Sequence, residues 1–267
     1  MGNEVSRARY MALGSFAINF STQTYGMLTS PNMKDIADAN HFAFSPNPWF
    51  IAAFFSGQMV LQLYWIRQLF ALKPAGYQRI RDAGAQTSGA DALAQQAADE
   101  AAAAAVAYAP IYALGNVCIA GWLFFWLREG FNMSQVLVTV NTAAQLYAVA
   151  RLPPLTAQSP ALLWATHLVA KSFAGIGILD FVDNGGVATR LRAPPSATVQ
   201  GLAFGFFPVL AAMSGPIFGS TLVYDLLGMY VGQRDVVGAG SWSAGLGWTA
   251  LATGGIVVVK GIMSLRQ

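Results

Sequence analysis

The chain has 267 residues, of which 55% are hydrophobic and only 10% are charged, with a net charge of +3. A typical soluble domain is about 25% charged, so this composition excludes an ordinary soluble globular protein. The basic residues are scattered rather than clustered, so no nucleic-acid partner is expected. His41, His167 and Cys118 are the only histidines and cysteine and show no metal-ligand spacing, so no metal and no cofactor are expected.

Seven hydrophobic stretches fill the chain, and most of them are long enough to cross a bilayer as a helix, which takes about 20 mostly apolar residues. They run over approximately 10–28, 48–70, 106–127, 134–151, 160–180, 199–230 and 244–263. The charged residues lie mainly between these stretches, as expected if the stretches lie in hydrocarbon. The sequence therefore predicts an all-α fold, a polytopic transmembrane helical bundle of about seven spans, in a single integral-membrane domain over 1–267.

The connections between the first four spans carry further signals. Pro46 and Pro48 mark the start of span two, where Trp49 is placed to lie at the membrane interface. The alanine-rich segment 83–105 is expected to be a helix that leads into span three from the polar side, because alanine is the best helix former. Only about six residues separate spans three and four, so these two spans are predicted to form an antiparallel hairpin.

Span six differs from the others because it is longer than one ordinary span and contains two prolines. Pro208 and Pro216 each remove a backbone donor and clash with the preceding turn. A broken or strongly kinked helix is therefore predicted around Ser214–Gly219. Irregular backbone at membrane depth persists only when it is buried in protein or faces water. The break thus indicates an internal cavity, and a simple kink that serves packing is the alternative.

The basic residues also predict an orientation. With seven spans, the side that carries the N-terminus holds eight basic residues and the other side holds six. The eight are Arg7, Arg9, Arg67, Lys73, Arg79, Arg81, Arg151 and Arg234. The positive-inside rule then predicts a cytoplasmic N-terminus and a C-terminus on the opposite side.

Amide side chains within the spans indicate the inner faces of the bundle, since polar groups avoid lipid. Gln58 and Gln62 are four residues apart on span two, and Asn141 and Gln145 repeat this spacing on span four. Such amides commonly join neighbouring helices, each contributing about 1 kcal/mol or less. We therefore expect them to hold helices together.

Ionisable residues within spans are more costly to the fold and so are more informative about function. Asp225 lies in the second half of span six, beside Tyr224, and Asp180 lies at the end of span five with Asp183. An ion pair between Lys171 and Asp225 is one arrangement that spans five and six allow. Asp180 and Asp183 are alternatively interfacial caps. Near the end of span seven, a further lysine at position 260 is expected to extend to the surface.

Two segments resemble stretches of polytopic membrane proteins from filamentous fungi: 45–55, with the sequence S-P-N-P-W-F-I-A-A-F-F, and 174–180, with the sequence A-G-I-G-I-L-D. Some small fungal proteins of this size and span count are membrane-bound terpene cyclases, which close protonated or epoxidised prenyl chains on aromatic or polyketide-derived cores. The resemblance implies an enzyme of secondary-metabolite biosynthesis with a lipophilic, isoprenoid-type substrate, located in the endoplasmic reticulum or another endomembrane. The best-known cyclases carry a glutamate in an early span and an acid in the last one. This chain has Gln58, Gln62 and Lys260 there, so no residue is assigned from the family.

The leading hypothesis is an integral-membrane enzyme that cyclises such a substrate by acid-initiated chemistry. Burial in an apolar site favours the protonated form that a carboxyl group needs for this reaction, and aromatic faces stabilise carbocations. Asp225 and Asp180 are the candidate catalytic acids, and Tyr224 is a candidate to assist them. The expected partners are the lipophilic substrate and membrane lipid. The alternatives are a transporter or channel, in which broken span six, His167 and Lys171 line a pathway, and a sensor or scaffold without catalysis. Internal repeats would favour transport, and none is recognised.

Overall fold

The computed structural model describes residues 2–72 and 89–264, and all regular structure in this part of the chain is α-helical. The helices, in chain order, are α1 Gly2–Leu28, α2 Met33–Ala39, α3 Pro48–Ala71, α4 Gly89–Trp126, α5 Phe131–Arg151, α6 Ala161–Ala188, α7 Ala197–Met213, α8 Pro216–Gln233 and α9 Gly240–Ser264. Among them α3, α4, α6 and α9 are long and apolar enough to cross a membrane. The all-α prediction is confirmed, and these four helices fit a helical membrane protein. They do not by themselves establish seven spans.

Helix α4 is the continuous helix that the alanine-rich segment predicts. It runs for 38 residues with Pro110 inside it and leads directly into the third apolar stretch. The start of that segment, 83–88, lies outside the described residues, as do Lys73, Arg79 and Arg81 of the orientation prediction and Arg266, one of the six basic residues counted on the other side. Residues 127–130 connect α4 to α5, and the Ser134 hydroxyl donates to the Trp122 carbonyl across the pair at 3.4 Å. The predicted antiparallel hairpin is thus confirmed.

Side-chain contacts fix the direction of each helix. Asn19 on α1 donates to Asn116 on α4 at 2.8 Å, and Gly26 packs against Leu123 further along the same two helices, so α1 and α4 are parallel. Arg9, near the start of α1, donates to the Leu69 carbonyl near the end of α3, so α3 is antiparallel to both. We call the end of the bundle where α1 begins the first end and the opposite end the second end.

The sixth hydrophobic stretch is broken where the prolines predict, but it forms a hairpin and not a kinked span. Phe204 on α7 lies against Trp242 near the start of α9, with ring centroids 5.4 Å apart, and the Ala212 carbonyl near the end of α7 accepts from Lys260 near the end of α9. Helix α7 is therefore parallel to α9. Helix α8 is antiparallel to α9, because Gly219 near the start of α8 packs against Val257 towards the end of α9. The chain reverses at positions 214–215, between Met213 and Pro216.

This reversal brings the end of α9 to the first end of the bundle. Helix α6 runs to the second end, where Asn184 accepts a hydrogen bond from Trp122 at the end of α4. Two contacts show that helix α8 is parallel to α6. Gly175 on α6 packs against Thr221 on α8, and further along the two helices Gly186 and Gly232 both pack against the 44–47 segment. Helix α9 then runs from the second end back to the first end. The prediction that the C-terminus lies opposite the N-terminus is therefore wrong, because the stretch counted as one span contributes two antiparallel helices.

The amides within the bundle hold helices together, as predicted. The Tyr112 hydroxyl donates to Gln62 at 2.6 Å, and the Tyr108 hydroxyl donates to Gln145 at 2.9 Å. Gln58 donates to a main-chain carbonyl of α6 at 3.4 Å. These side chains are all buried. They form a hydrogen-bonded network that joins α3, α4, α5 and α6 in the half of the bundle nearer the first end.

Candidate functional site

Three aspartates come together near the second end, where α6 and α8 pack side by side. Asp180 and Asp183 lie on α6 and Asp225 lies on α8. Because Gly175 packs against Thr221 and the two helices are parallel, Asp225, four residues after Thr221, lies level with Asp180. We call these three residues the acid cluster. Gly175 permits the close approach of the two helices, because a Cβ atom there would lie 2.5 Å from the Thr221 Cβ. The two acids predicted on separate spans thus belong to one site.

Asp225 is the fully buried member of the acid cluster. Its side chain is 0% exposed, and neither carboxylate oxygen has a hydrogen-bond partner among the described residues. About nine in ten buried polar groups in proteins have such a partner. An unsatisfied buried group typically costs the fold about 1–3 kcal/mol, and more when it is charged. Asp225 in this position therefore lowers the stability of the fold.

Asp183 connects the acid cluster to the segment between α2 and α3. The Ser45 hydroxyl donates to Asp183 at 2.8 Å and accepts from the Phe42 amide at 3.1 Å. Asp183 is half-buried and lies one turn before the end of α6. This arrangement agrees with the alternative that Asp183 has an interfacial, structural role, and Asp180 and Asp225 stay the candidate pair.

Gln233 fixes the same segment from the side of α8. Its side chain is 0% exposed, and its amide nitrogen donates to the Phe42 carbonyl at 2.7 Å and to the Ser45 carbonyl at 2.9 Å. Sequence reasoning missed both Ser45 and Gln233 as parts of the site. Gln233 lies beyond the predicted end of span six at 230, and Ser45 lies in a connection without periodicity. The only sequence signal near Ser45 was Pro46 and Pro48, which marked the start of span two.

Tyr224 places an aromatic surface beside the acid cluster. Its hydroxyl donates to the Phe50 carbonyl at 2.8 Å, and its ring centroid lies 5.3 Å from that of Phe50 and 6.0 Å from that of Phe54. The hydroxyl that sequence analysis assigned to a helping role is thus hydrogen-bonded to the main chain of α3. The three rings form an apolar wall between α3 and α8.

The basic residues of the spans lie elsewhere. The Lys171 ammonium nitrogen lies 3.5 Å from the position of a Cβ built on Gly215, at the turn between α7 and α8. Asp225 is ten residues further along, about 15 Å at the helical rise. The possible Lys171–Asp225 pair is therefore not formed, since parallel packing aligns Asp225 with Asp180 instead. The His167 ring nitrogen contacts the Pro153 carbonyl at 2.9 Å, towards the first end.

Lys260 makes a contact that the sequence did not predict. Its ammonium group donates to the Ala212 carbonyl at 2.5 Å and so satisfies a main-chain oxygen left free where α7 ends. The bond is exposed, so it does not contradict the predicted extension of Lys260 to the surface, which stays a prediction. An open groove of about 570 Å³ lies beside this bond, and neither an acid nor an aromatic residue lines it. The cavity expected at the break is therefore a groove remote from the acid cluster.

Within residues 2–72 and 89–264, no group of three or more His, Cys, Asp or Glu side chains is arranged to hold a metal ion. The ion pairs found in the same residues, Lys34–Asp38 and Arg234–Asp235, do not involve the acid cluster. Asp180 and Asp225 therefore have no basic side chain paired with them among the ion pairs of the described residues. The chain has no match among the protein-family models, the curated proteins or the solved structures with which it was compared.

Proposed function

We propose that the chain is a multi-pass membrane transporter in which Asp225 and Asp180 bind and release a proton. The observation that carries the proposal is Asp225, which is fully buried with both carboxylate oxygens unpartnered among the described residues. Carboxyl groups in such positions within membrane bundles mark proton relays and ion pathways. A second carboxyl group that lies level with it, Asp180, supplies the site to which the proton passes.

A proton suits the pair better than another cation does. Two carboxylates that lie together without a basic residue repel each other, and one proton removes a negative charge and supplies a hydrogen-bond donor between them. The described residues offer no third ligand in an arrangement that holds a metal ion. The proton is therefore the transported ion in this proposal.

The proposed arrangement in the bilayer has both termini on the cytoplasmic side. The starts of α1 and α4 and the ends of α3 and α9 lie at the first end, and the described basic residues Arg7, Arg9, Arg67 and Arg151 lie in or beside helix ends there. Helices α7 and α8 have 17 and 18 residues, about 26 Å each, close to the thickness of the hydrocarbon core. They then count as two short spans in place of one of the expected seven. An endomembrane such as the endoplasmic reticulum remains the proposed location, which a fluorescent fusion beside a reticulum marker tests.

Transport requires that Asp225 become accessible from each side in turn. The hairpin of α7 and α8 is the element best placed to allow this, because it carries Asp225 and its outer helix exposes apolar residues such as Leu202 and Val209. A shift of α8 along α6 at the Gly175–Thr221 contact would open Asp225 to the second end. Discontinuous helices of this kind commonly form the sites of membrane transporters.

The proposal is tested by proton flux into liposomes that contain the purified chain and a trapped pH-sensitive dye. Asp225→Asn keeps the shape of the side chain and removes its titratable proton. The matched control is Asp38→Asn, which changes a half-exposed aspartate on α2. We expect the flux of the wild-type chain and of the control to exceed that of empty liposomes, and the flux of Asp225→Asn to fall to that of empty liposomes. Wild-type flux in Asp225→Asn, or none in the wild-type chain, would refute the proposal.

Acid-initiated cyclisation of an isoprenoid-type substrate is the second candidate function. The specific observation in its favour is the aromatic wall of Phe50, Phe54 and Tyr224 beside the acids. The assay follows conversion of a prenylated or epoxidised precursor in microsomes that carry Asp225→Asn or Asp180→Asn. Loss of a general acid typically lowers the rate by about 10²–10⁴-fold. Product formation that depends on either acid, without proton flux, would favour the enzyme over the transporter.

A further inference from the structure

An apolar groove of about 570 Å³ lies on the outer face of α9 beside the end of α7. Its lining residues are Ala212, Ala252, Gly255, Ile256, Val259 and Lys260. Small side chains on α9 make the space, since a Cβ atom built on Gly255 meets nothing within 4 Å. The groove is therefore a surface that fits a narrow hydrocarbon chain, and not a closed pocket.

A positive charge lies at one end of this groove. The Lys260 ammonium group donates to the Ala212 carbonyl at 2.5 Å, and within the described part of the chain no acid forms an ion pair with it. Lys260 is 20 residues, about 30 Å, along α9 from Gly240, which is the thickness of a hydrocarbon core. If α9 crosses the bilayer from Gly240, the ammonium group lies at the depth where lipid phosphates begin, while Ala252 lies within the hydrocarbon.

We propose that this groove binds one anionic phospholipid, with an acyl chain along Ala252, Ile256 and Val259 and the phosphate at Lys260. The charge and the apolar surface complement the two parts of such a lipid. A zwitterionic lipid would gain the apolar contact but little from the net positive charge, and a free phosphate ion would gain only the charge. This site is separate from the acid cluster and independent of the proposed transport.

The experiment measures binding of phosphatidylglycerol and of phosphatidylcholine to the purified full-length chain in non-ionic detergent, by native mass spectrometry. Lys260→Gln removes the charge but keeps a donor for the Ala212 carbonyl. Lys171→Gln is the matched control, since it removes a positive charge beside the turn between α7 and α8 without changing the lining of the groove. We expect Lys260→Gln to lose about fivefold in affinity for phosphatidylglycerol, from the attraction of one lysine for an anionic lipid, and Lys171→Gln to keep the wild-type preference.

A second pair of variants tests the apolar part of the site and does not depend on Lys260. Gly255→Leu fills the groove, and Gly254→Leu is its control, because a Cβ atom at 254 also meets nothing within 4 Å but does not line the groove. We expect Gly255→Leu to lose binding of both lipids and Gly254→Leu to bind as the wild-type chain does. Wild-type lipid binding in Gly255→Leu, an unchanged lipid preference in Lys260→Gln, or displacement of the lipid by inorganic phosphate would each overturn the proposal.

Discussion

Replacing Gly232 with alanine tests the packing of α8 against the segment that holds the acid cluster. A Cβ atom at position 232 would lie 2.5 Å from the Ser45 carbonyl oxygen, 2.6 Å from the Pro46 carbonyl carbon and 2.7 Å from the Asn47 nitrogen. All three are main-chain atoms, so no side-chain rotation relieves the contact. The end of α8 and the 45–47 segment must move apart.

The size of the effect follows from three contributions. Overpacking of this kind costs about 1–3 kcal/mol. The separation also stretches the two hydrogen bonds from Gln233 to the Phe42 and Ser45 carbonyls, each contributing about 1 kcal/mol. Alanine in a helix offsets up to about 1 kcal/mol of this relative to glycine. We therefore expect Gly232→Ala to destabilise the fold by about 2–4 kcal/mol.

The measurement is thermal unfolding in detergent, followed by tryptophan fluorescence. Gly205→Ala on α7 is the matched control, because a Cβ atom there meets nothing within 4 Å, and it should stabilise the fold by about 0.5–1 kcal/mol through helix propensity. The midpoints should therefore shift in opposite directions. Equal stability of the two variants would show that α8 does not pack on the 45–47 segment, and the described geometry of the acid cluster would then be wrong.

Three further predictions concern the acid, the amide network and the topology. Asp225→Thr should stabilise the fold by about 1–3 kcal/mol, and so raise the unfolding midpoint, while abolishing proton flux, because threonine has nearly the same volume and its hydroxyl can bond the carbonyl four residues earlier; a lowered midpoint would contradict this. Tyr112→Phe should destabilise the fold by about 1–3 kcal/mol, measured by the same unfolding assay, because Gln62 loses the 2.6 Å bond it accepts. Reporter fusions at the two termini should both respond in the cytoplasm, and a response on opposite sides would contradict the helix directions.

Much of the helical framework was predictable from the sequence because apolar runs and prolines act locally. Pro48 and Pro216 each begin a helix, and the alanine-rich segment continues into α4 as its composition indicates. The direction of the chain after Met213 was not predictable. A kink and a reversal place the same residues at the break, and only long-range contacts such as that of Phe204 with Trp242 distinguish them. The wrong position of the C-terminus follows from that one ambiguity.

The acid cluster was predictable only in part for a similar reason. The cost of placing a charge in hydrocarbon singled out Asp225 and Asp180 from their positions alone. Their proximity depends on parallel packing of α6 and α8, which the reversal creates and which no local pattern contains. The Gln233 side chain donates to the Ser45 carbonyl, and the Ser45 hydroxyl donates to Asp183, so both contributions join residues that are 138 or more positions apart in the chain. Such contacts follow from tertiary structure, and a single sequence gives no signal for them.

The two buried polar centres of the bundle, the amide network and Asp225, differ in whether the fold completes their hydrogen bonds. The fold completes the hydrogen bonds of Gln62 and Gln145 with tyrosine hydroxyls, so it is able to satisfy polar groups at depth. Among the described residues, the other buried side chains with an unpaired atom, Gln135, His167 and Gln233, each make a hydrogen bond through another atom, whereas Asp225 has both polar atoms unpaired. A hydroxyl or amide from a neighbouring helix would have removed that cost by a single substitution. Under the proposed proton exchange an unpaired carboxyl group is required at this position, because a permanent partner would hold it in one protonation state.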